Sequence, residues 1–149
     1  MRILVDGDAC PKPIKQVIFR TAKREQIETI VVANSFLQLP LSPLIRLVVV
    51  TAGLDEADKY IVEQVLENDL VITNDLPLAD LVVAKGAWAL SSYGKLFTTG
   101  NIKEVVAIRN LMAQLRDEQK INGGPPPFSS LQLQNFTNQL QQLIVKARN

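Results

Sequence analysis

Four short apolar runs constrain this chain most. They are "RILV" near the start, "ETIVVAN" from Glu28 to Asn34, "IRLVVVTA" from Ile45 to Ala52, and "DLVITND" from Asp69 to Asp75. None alternates apolar with polar residues as a half-exposed strand would. Strands apolar on both sides need cover on both faces, which is the mark of a parallel sheet between helices. The intervening segments supply those helices. Ile14, Val17, Ile18 and Ala22 recur at helical spacing behind Pro11, a residue suited to a first helical turn. "LDEADKYIVEQVLEN" places Leu54, Ala57, Tyr60, Ile61, Val65 and Leu66 on an apolar stripe behind an acidic first turn. "PLADLVVAKG" is a short helix between Pro77 and Gly86. "SFLQLPLSPL" is irregular, because Pro40 and Pro43 forbid a long helix. "AWALS" offers a fifth strand. The expected fold is a three-layer α/β/α sandwich around a mostly parallel sheet of four to five strands.

The chain has 149 residues, which suits one domain over 1–149. "NIKEVVAIRNLMAQLRDEQ" reads as a long helix with Ile102, Val105, Val106, Ile108, Met112 and Leu115 on its stripe. A Gly/Pro linker is expected at 119–130, followed by a C-terminal helix at 131–147 carrying Leu133, Phe136, Leu140, Leu143 and Ile144.

Composition removes several chemistries. There is no histidine, which excludes Ser-His-Asp and Cys-His catalysis and any His-ligated metal. Cys10 is the single cysteine, so neither an internal disulfide nor a zinc cluster can form, and a reducing compartment is expected. No apolar run approaches the roughly 18 residues of a membrane span, and the N-terminus is a strand rather than a signal peptide. A cytoplasmic location and no membrane partner are therefore expected. The net charge of +1 points to no partner, but its distribution is uneven. From Thr51 to Val82 eight acidic residues face one lysine, Lys59, between basic flanks.

The aspartates fall where such a fold would work. Open α/β sheets bind ligands beyond the carboxyl ends of their strands. Asp6 and Asp8 end the first strand. Asp55 and Asp58 open the helix after the third and are spaced to share a face. Asp75 ends the fourth strand, and Asp80 lies on the next helix. Clustered carboxylates repel unless a cation sits among them, and Mg²⁺ or Mn²⁺ favours oxygen ligands. Such an ion activates water and stabilises a scissile phosphate. Each aspartate also has a plainer reading: Asp8 as cap of the first helix, Asp55 as a helix N-terminal charge, Asp75 as turn and cap, Asp80 as surface.

Two other function classes fit. A strand ending Asp-x-Asp resembles the haloacid-dehalogenase-type phosphatases, with Asp6 as nucleophile, Asp8 as general acid/base, Thr51 as the hydroxyl and Lys59 or Lys85 as the lysine. Alternatively, the basic residues Lys12, Lys15 and Lys23 would serve a non-catalytic nucleic-acid-binding module, although the scattered aromatics offer no stacking platform.

Taken together, "VDGDACP", Arg20, "VAN", "AGLDEAD", "DLVITNDLPLAD", "KGA" and "NGGPPPFS" resemble the uncharacterised bacterial YaiI/YqxD family over residues 1 to about 129. Members are regarded as similar to PIN-like nuclease domains, whose clustered acids hold Mg²⁺ or Mn²⁺. The resemblance matches Asp6 and Asp8 to the opening acidic motif, Asp55 and Asp58 to the middle one, and Asp75 to the one after the fourth strand. The chain departs from the family at "SSYGKL", where Tyr93 and Lys95 replace an arginine and an acidic residue. The expected function is a metal-dependent nuclease that hydrolyses phosphodiester bonds, with RNA as substrate. Asp6, Asp8 and Asp75 would be catalytic. Asp6, Asp8, Asp55, Asp58 and Asp75 would be metal ligands, and Arg20 and Lys85 phosphate contacts. Homo-oligomerisation is left open.

Overall fold

A computed structural model describes residues 1–53, 55–119 and 129–148, without the side chains of 116–119. The chain runs β1 (Ile3–Asp6), α1 (Lys12–Glu25), β2 (Thr29–Ala33), β3 (Ile45–Val49), α2 (Glu56–Gln64), β4 (Leu70–Ile72), α3 (Leu76–Ala84), β5 (Trp88–Leu90), β6 (Leu96–Phe97), α4 (Ile102–Gln119) and α5 (Ser130–Arg148). One sheet has the order β3-β2-β1-β4-β5-β6. All neighbours are parallel except β5 and β6. This is the expected α/β architecture with one strand more.

The apolar runs explain the layers. Successive strand residues point to opposite faces. Ile3, Val5, Val31, Leu70, Ile72 and Leu90 therefore face α1 and α5, while Leu4, Ile30, Val32, Val71 and Ala89 face α2, α3 and α4. The irregular β2–β3 connection covers part of the first face, where Leu37, Leu39 and Leu44 pack on the core. α5 is held to α1 by Arg148–Glu25 at 2.6 Å and by Arg24 donating to Gln141 at 2.8 Å. Burial of its Phe136, Leu140, Leu143 and Ile144 stabilises the packing by about 1.5–3 kcal/mol per side chain.

Several expectations change. α2 stops at Gln64 because Val65 turns extended, and the Asp69 carboxylate then accepts the Leu66 N–H at 2.9 Å. Ala57, Ile61 and Val65 are buried, but Leu66 is exposed, and Leu54 lies outside the described residues. α4 buries Ile102, yet Ile108 and Met112 of its expected stripe face solvent. β6 follows a turn at Gly94, whose φ of +87° favours glycine, and a Cβ there would stand 2.8 Å from the Asn135 backbone of α5. Of the expected linker, residues 120–128 lie outside the described residues, and its ends belong to α4 and α5.

Candidate functional site

The strand order reverses between β1 and β4: the chain builds outward from β1 to β3 on one side, then restarts at β4 on the other. The carboxyl ends of β1 and β4 flank the crevice that such a reversal leaves open. Asp6 is the last residue of β1, and Thr73–Asp75 follow β4.

One hydroxyl joins the two strand ends. Thr73 Oγ1 donates to Asp6 Oδ2 at 3.1 Å and accepts the Asp75 N–H at 3.0 Å. Asp75 Oδ1 in turn accepts the Leu78 N–H at 2.9 Å, so it caps α3 as the turn reading expected. Asn74 and Ser92 exchange two hydrogen bonds: Asn74 Nδ2 donates to Ser92 Oγ at 2.7 Å, and the Ser92 N–H donates to Asn74 Oδ1 at 2.8 Å. They tie the β4 end to the β5 end. Thr73 and Ser92 are buried. Sequence reasoning passed over Thr73 and Ser92 as site residues; the signal available was hydroxyl residues directly behind two adjacent strands.

Asp8 does not cap α1. That helix has Pro11 at its cap position and no side-chain cap, and Asp8 Oδ2 instead accepts the Asn34 N–H at 2.8 Å beyond the end of β2. Proline at the cap position has no side-chain acceptor, and the turn carries Asp8 toward β2. Asp55 opens α2 with a left-handed φ of 64° and makes no capping bond. Asp58, one turn on, faces the β1–β4 crevice.

The electrostatics show which groups meet. Burial pushes the Asp6 carboxyl above its ordinary value; the Thr73 hydroxyl pulls it partly back, and the charges of Asp75 and Asp8 raise it further. Asp58 is pushed up to about 6, first by burial, then by the charges of Asp75, Asp6 and Asp55, and last by a hydrogen bond with Asp75 that favours the protonated form. Among the described residues, the charges that shift these two groups are carboxylates. Asp55, Asp58 and Asp75 also line a groove of about 480 Å³ between α2 and α3, floored by Val62, Pro77, Leu78 and Leu81.

Asp6, Asp58 and Asp75 thus come together, with Asp8 and Asp55 beside them. Arg20 and Lys85 do not. Arg20 is exposed on α1, beside Gln16, Phe19, Lys23 and Pro40. Lys85 caps the far end of α3, about 15 Å from Asp75 by helix rise, and its Nζ donates to the Val62 carbonyl. Asp80 is exposed on α3. Cys10 is a free thiol that burial pushes up to about 12.

The donor set has the chemistry of a hard-cation site, being oxygen only and electrostatically unbalanced. It is not drawn into a ligand cage: among the described residues, no three acidic or cysteine side chains stand where they could hold a metal ion. The reason is local. Asp6 is engaged by Thr73, Asp8 by the Asn34 backbone and Asp75 by the α3 N-terminus.

Fold and site define a class: an open, nearly all-parallel α/β domain with acidic residues gathered where its strand order reverses. A family profile described as "Uncharacterized BCR, YaiI/YqxD family" matches residues 4–146, and the chain belongs to that family. It is similar to a "UPF0178 protein" of Maridesulfovibrio salexigens, 46% identical over 149 residues, covering 100% of this chain and 99% of the relative. It is also similar to a "UPF0178 protein" of Dechloromonas aromatica, 48% identical over 146 residues, covering 98% and 97%. No solved structure matches the chain. Among the described residues no helix is long and apolar enough to cross a membrane.

Proposed function

We propose that this domain is a divalent-metal-dependent nuclease of the PIN-like kind that hydrolyses phosphodiester bonds in RNA. One observation carries the reading: Asp6, Asp58 and Asp75 meet at the ends of β1 and β4, where burial first and then one another's charges raise Asp6 and Asp58 above their ordinary pKa values. Like charges in a crevice are an unfavourable arrangement that a bound cation relieves. Asp6, Asp58 and Asp75 would hold Mg²⁺ or Mn²⁺, with Asp8 and Asp55 at the rim. When bound, the ion supplies Lewis-acid stabilisation of the phosphoryl oxygens and an activated water.

The chain's own groups do the rest. Thr73 orients Asp6 and couples it to Asp75, so the two strand ends keep one spacing. Asp58, pushed up to about 6 chiefly by burial, is the carboxyl whose remaining proton a bound cation would displace. The apolar floor of the α2–α3 groove gives a sugar or base a surface beside the carboxylates. Arg20 would meet phosphates along α1, away from the scissile bond, and Lys85 has no part in this reading.

The test pairs binding with turnover. Calorimetry should show Mn²⁺ binding to the wild type and its loss in Asp6→Asn, with folding intact. Manganese-dependent cleavage of single-stranded RNA should vanish in Asp75→Asn. Wild-type protein that binds no divalent ion refutes the reading. Hydrolysis of a small aryl phosphate, with a beryllofluoride adduct on Asp6 and no RNA cleavage, would replace it with the phosphatase.

A further inference from the structure

α1 leaves the carboxyl end of β1 behind Asp6 and Asp8 and runs back along the sheet to the start of the parallel strand β2. Its exposed side is a line of polar residues at helical spacing: Lys12, Gln16, Arg20 and Lys23. By helix rise the line is about 17 Å long. Toward its end the β2–β3 connection stands beside it. There Gln16, Phe19, Arg20, Lys23 and Pro40 line a cleft of about 340 Å³.

The charges of this line are unbalanced. Among the described residues Lys12, Arg20 and Lys23 make no ion pair, whereas Arg2, Arg24, Arg46 and Arg148 each meet a carboxylate. α1 has no acidic residue before Glu25, and that carboxylate is taken by Arg24 and Arg148. The segment from Asn34 to Leu44, which supplies the opposite wall of the cleft, has no charged residue at all. Lys12 and Lys15 also sit in the first turn of α1, the positive end of the helix dipole, where a cation is unfavourable. The helix therefore gains nothing from these two cations. A bound anion would gain from the whole line.

The shape narrows the kind of anion. The cations form a line with a wall beside it, not a flat patch of the kind a bilayer surface meets. A chain of phosphates fits a line. Resting on the nuclease reading above, we propose that the Lys12–Arg20–Lys23 side of α1, with its cleft against Pro40, is the track that holds the sugar–phosphate backbone of an RNA strand as it leaves the carboxylates. Contacts of this kind position a strand and carry no sequence information.

The experiment is binding of a labelled single-stranded RNA, followed by fluorescence anisotropy in chelator, where no turnover occurs, over a series of salt concentrations. Each phosphate neutralised on a single strand adds about 0.7 to the steepness of log K against log salt. The double variant Arg20→Gln, Lys23→Gln should bind more weakly than wild type, with a slope shallower by about 1.4, and equally so on polyuridine and polyadenosine. Lys103→Gln with Arg109→Gln removes the same charge from exposed positions on α4 and should leave the slope as in wild type. All four positions are exposed, so neither variant should alter thermal stability. The proposal is overturned if both double variants lose alike, since net charge alone then explains the loss. It is equally overturned if the loss depends on the base, or if wild type does not bind the strand. An α1 variant that binds RNA as wild type does but no longer binds vesicles of anionic phospholipid would assign the line to a membrane surface and overturn it too. Cleavage with Mn²⁺ is scored separately. Wild type that binds through Arg20 and Lys23 but never cleaves refutes the nuclease and leaves the track. Wild type that cleaves, with a slope unchanged in the α1 variant, does the reverse.

Discussion

Replacing Asp58 by asparagine should stabilise the metal-free protein, and only above acidic pH. Asp58 titrates at about 6 in the folded state against an ordinary 3.8. Between those values the native state holds a proton that the unfolded chain has lost, so stability falls as pH rises through this window. Above about 6 the full penalty of a crowded carboxylate is present; below 3.8 it is gone. The shift sets a ceiling of about 3 kcal/mol. Asp58 is only partly buried, and solvent screening reduces this to about 1 kcal/mol. Asparagine keeps the shape and removes a charge that burial penalises first and Asp75, Asp6 and Asp55 oppose next. In chelator at pH 7.5 its melting temperature should rise by about 2–4 °C over wild type. At pH 3.5 the two should coincide. Manganese should then raise the wild-type melting temperature and leave Asp58→Asn nearly unmoved. A variant that is less stable at pH 7.5, or whose gain is the same at both pH values, would show that the carboxylates do not strain one another and would remove the main support for a cation site.

Other consequences are simpler to measure. Asp69 belongs to the acidic middle of the sequence but pairs with Arg2 at 2.8 Å and accepts the backbone N–H groups of Arg2 and Leu66. Asp69→Ala should therefore cost about 3 kcal/mol in urea denaturation while leaving Mn²⁺ affinity unchanged. Gly7→Ala would place a Cβ 2.7 Å from Val31 Cγ1 and 3.0 Å from the Val32 carbonyl, so a loss of about 1–3 kcal/mol is expected by thermal melting. Cys10, with its thiol pushed up to about 12, should react with maleimide far more slowly at pH 7.5 than free cysteine does.

The layered architecture was legible because Val31, Leu4 and Val71 belong to runs with no polar alternation, and only a sheet covered on both faces accommodates them. The grouping of Asp6, Asp58 and Asp75 followed from topology, since all three leave the carboxyl edge. The fate of individual side chains was not legible. Asp8 turns to the Asn34 amide, a partner distant in sequence that no spacing rule reveals. Lys85 is close to Asp75 in sequence but is carried away by the rise of α3. β6 is two residues long and depends on the turn at Gly94, too short for periodicity to register. The α4 stripe has helical spacing throughout, but only its start meets the body of the fold.

α5 has a consequence for how the chain is made. The face of the sheet that holds Ile3, Val5 and Ile72 is closed by Phe136 and Leu140, partners translated after all six strands. At ~5–20 residues per second, the roughly 50 residues after β6 take several seconds to emerge. During that time the strands are complete but one side is bare beside α1. Such a nascent chain presents a flat apolar surface to whatever is nearby, so its yield in cells should depend on chaperone supply more than its finished stability would suggest.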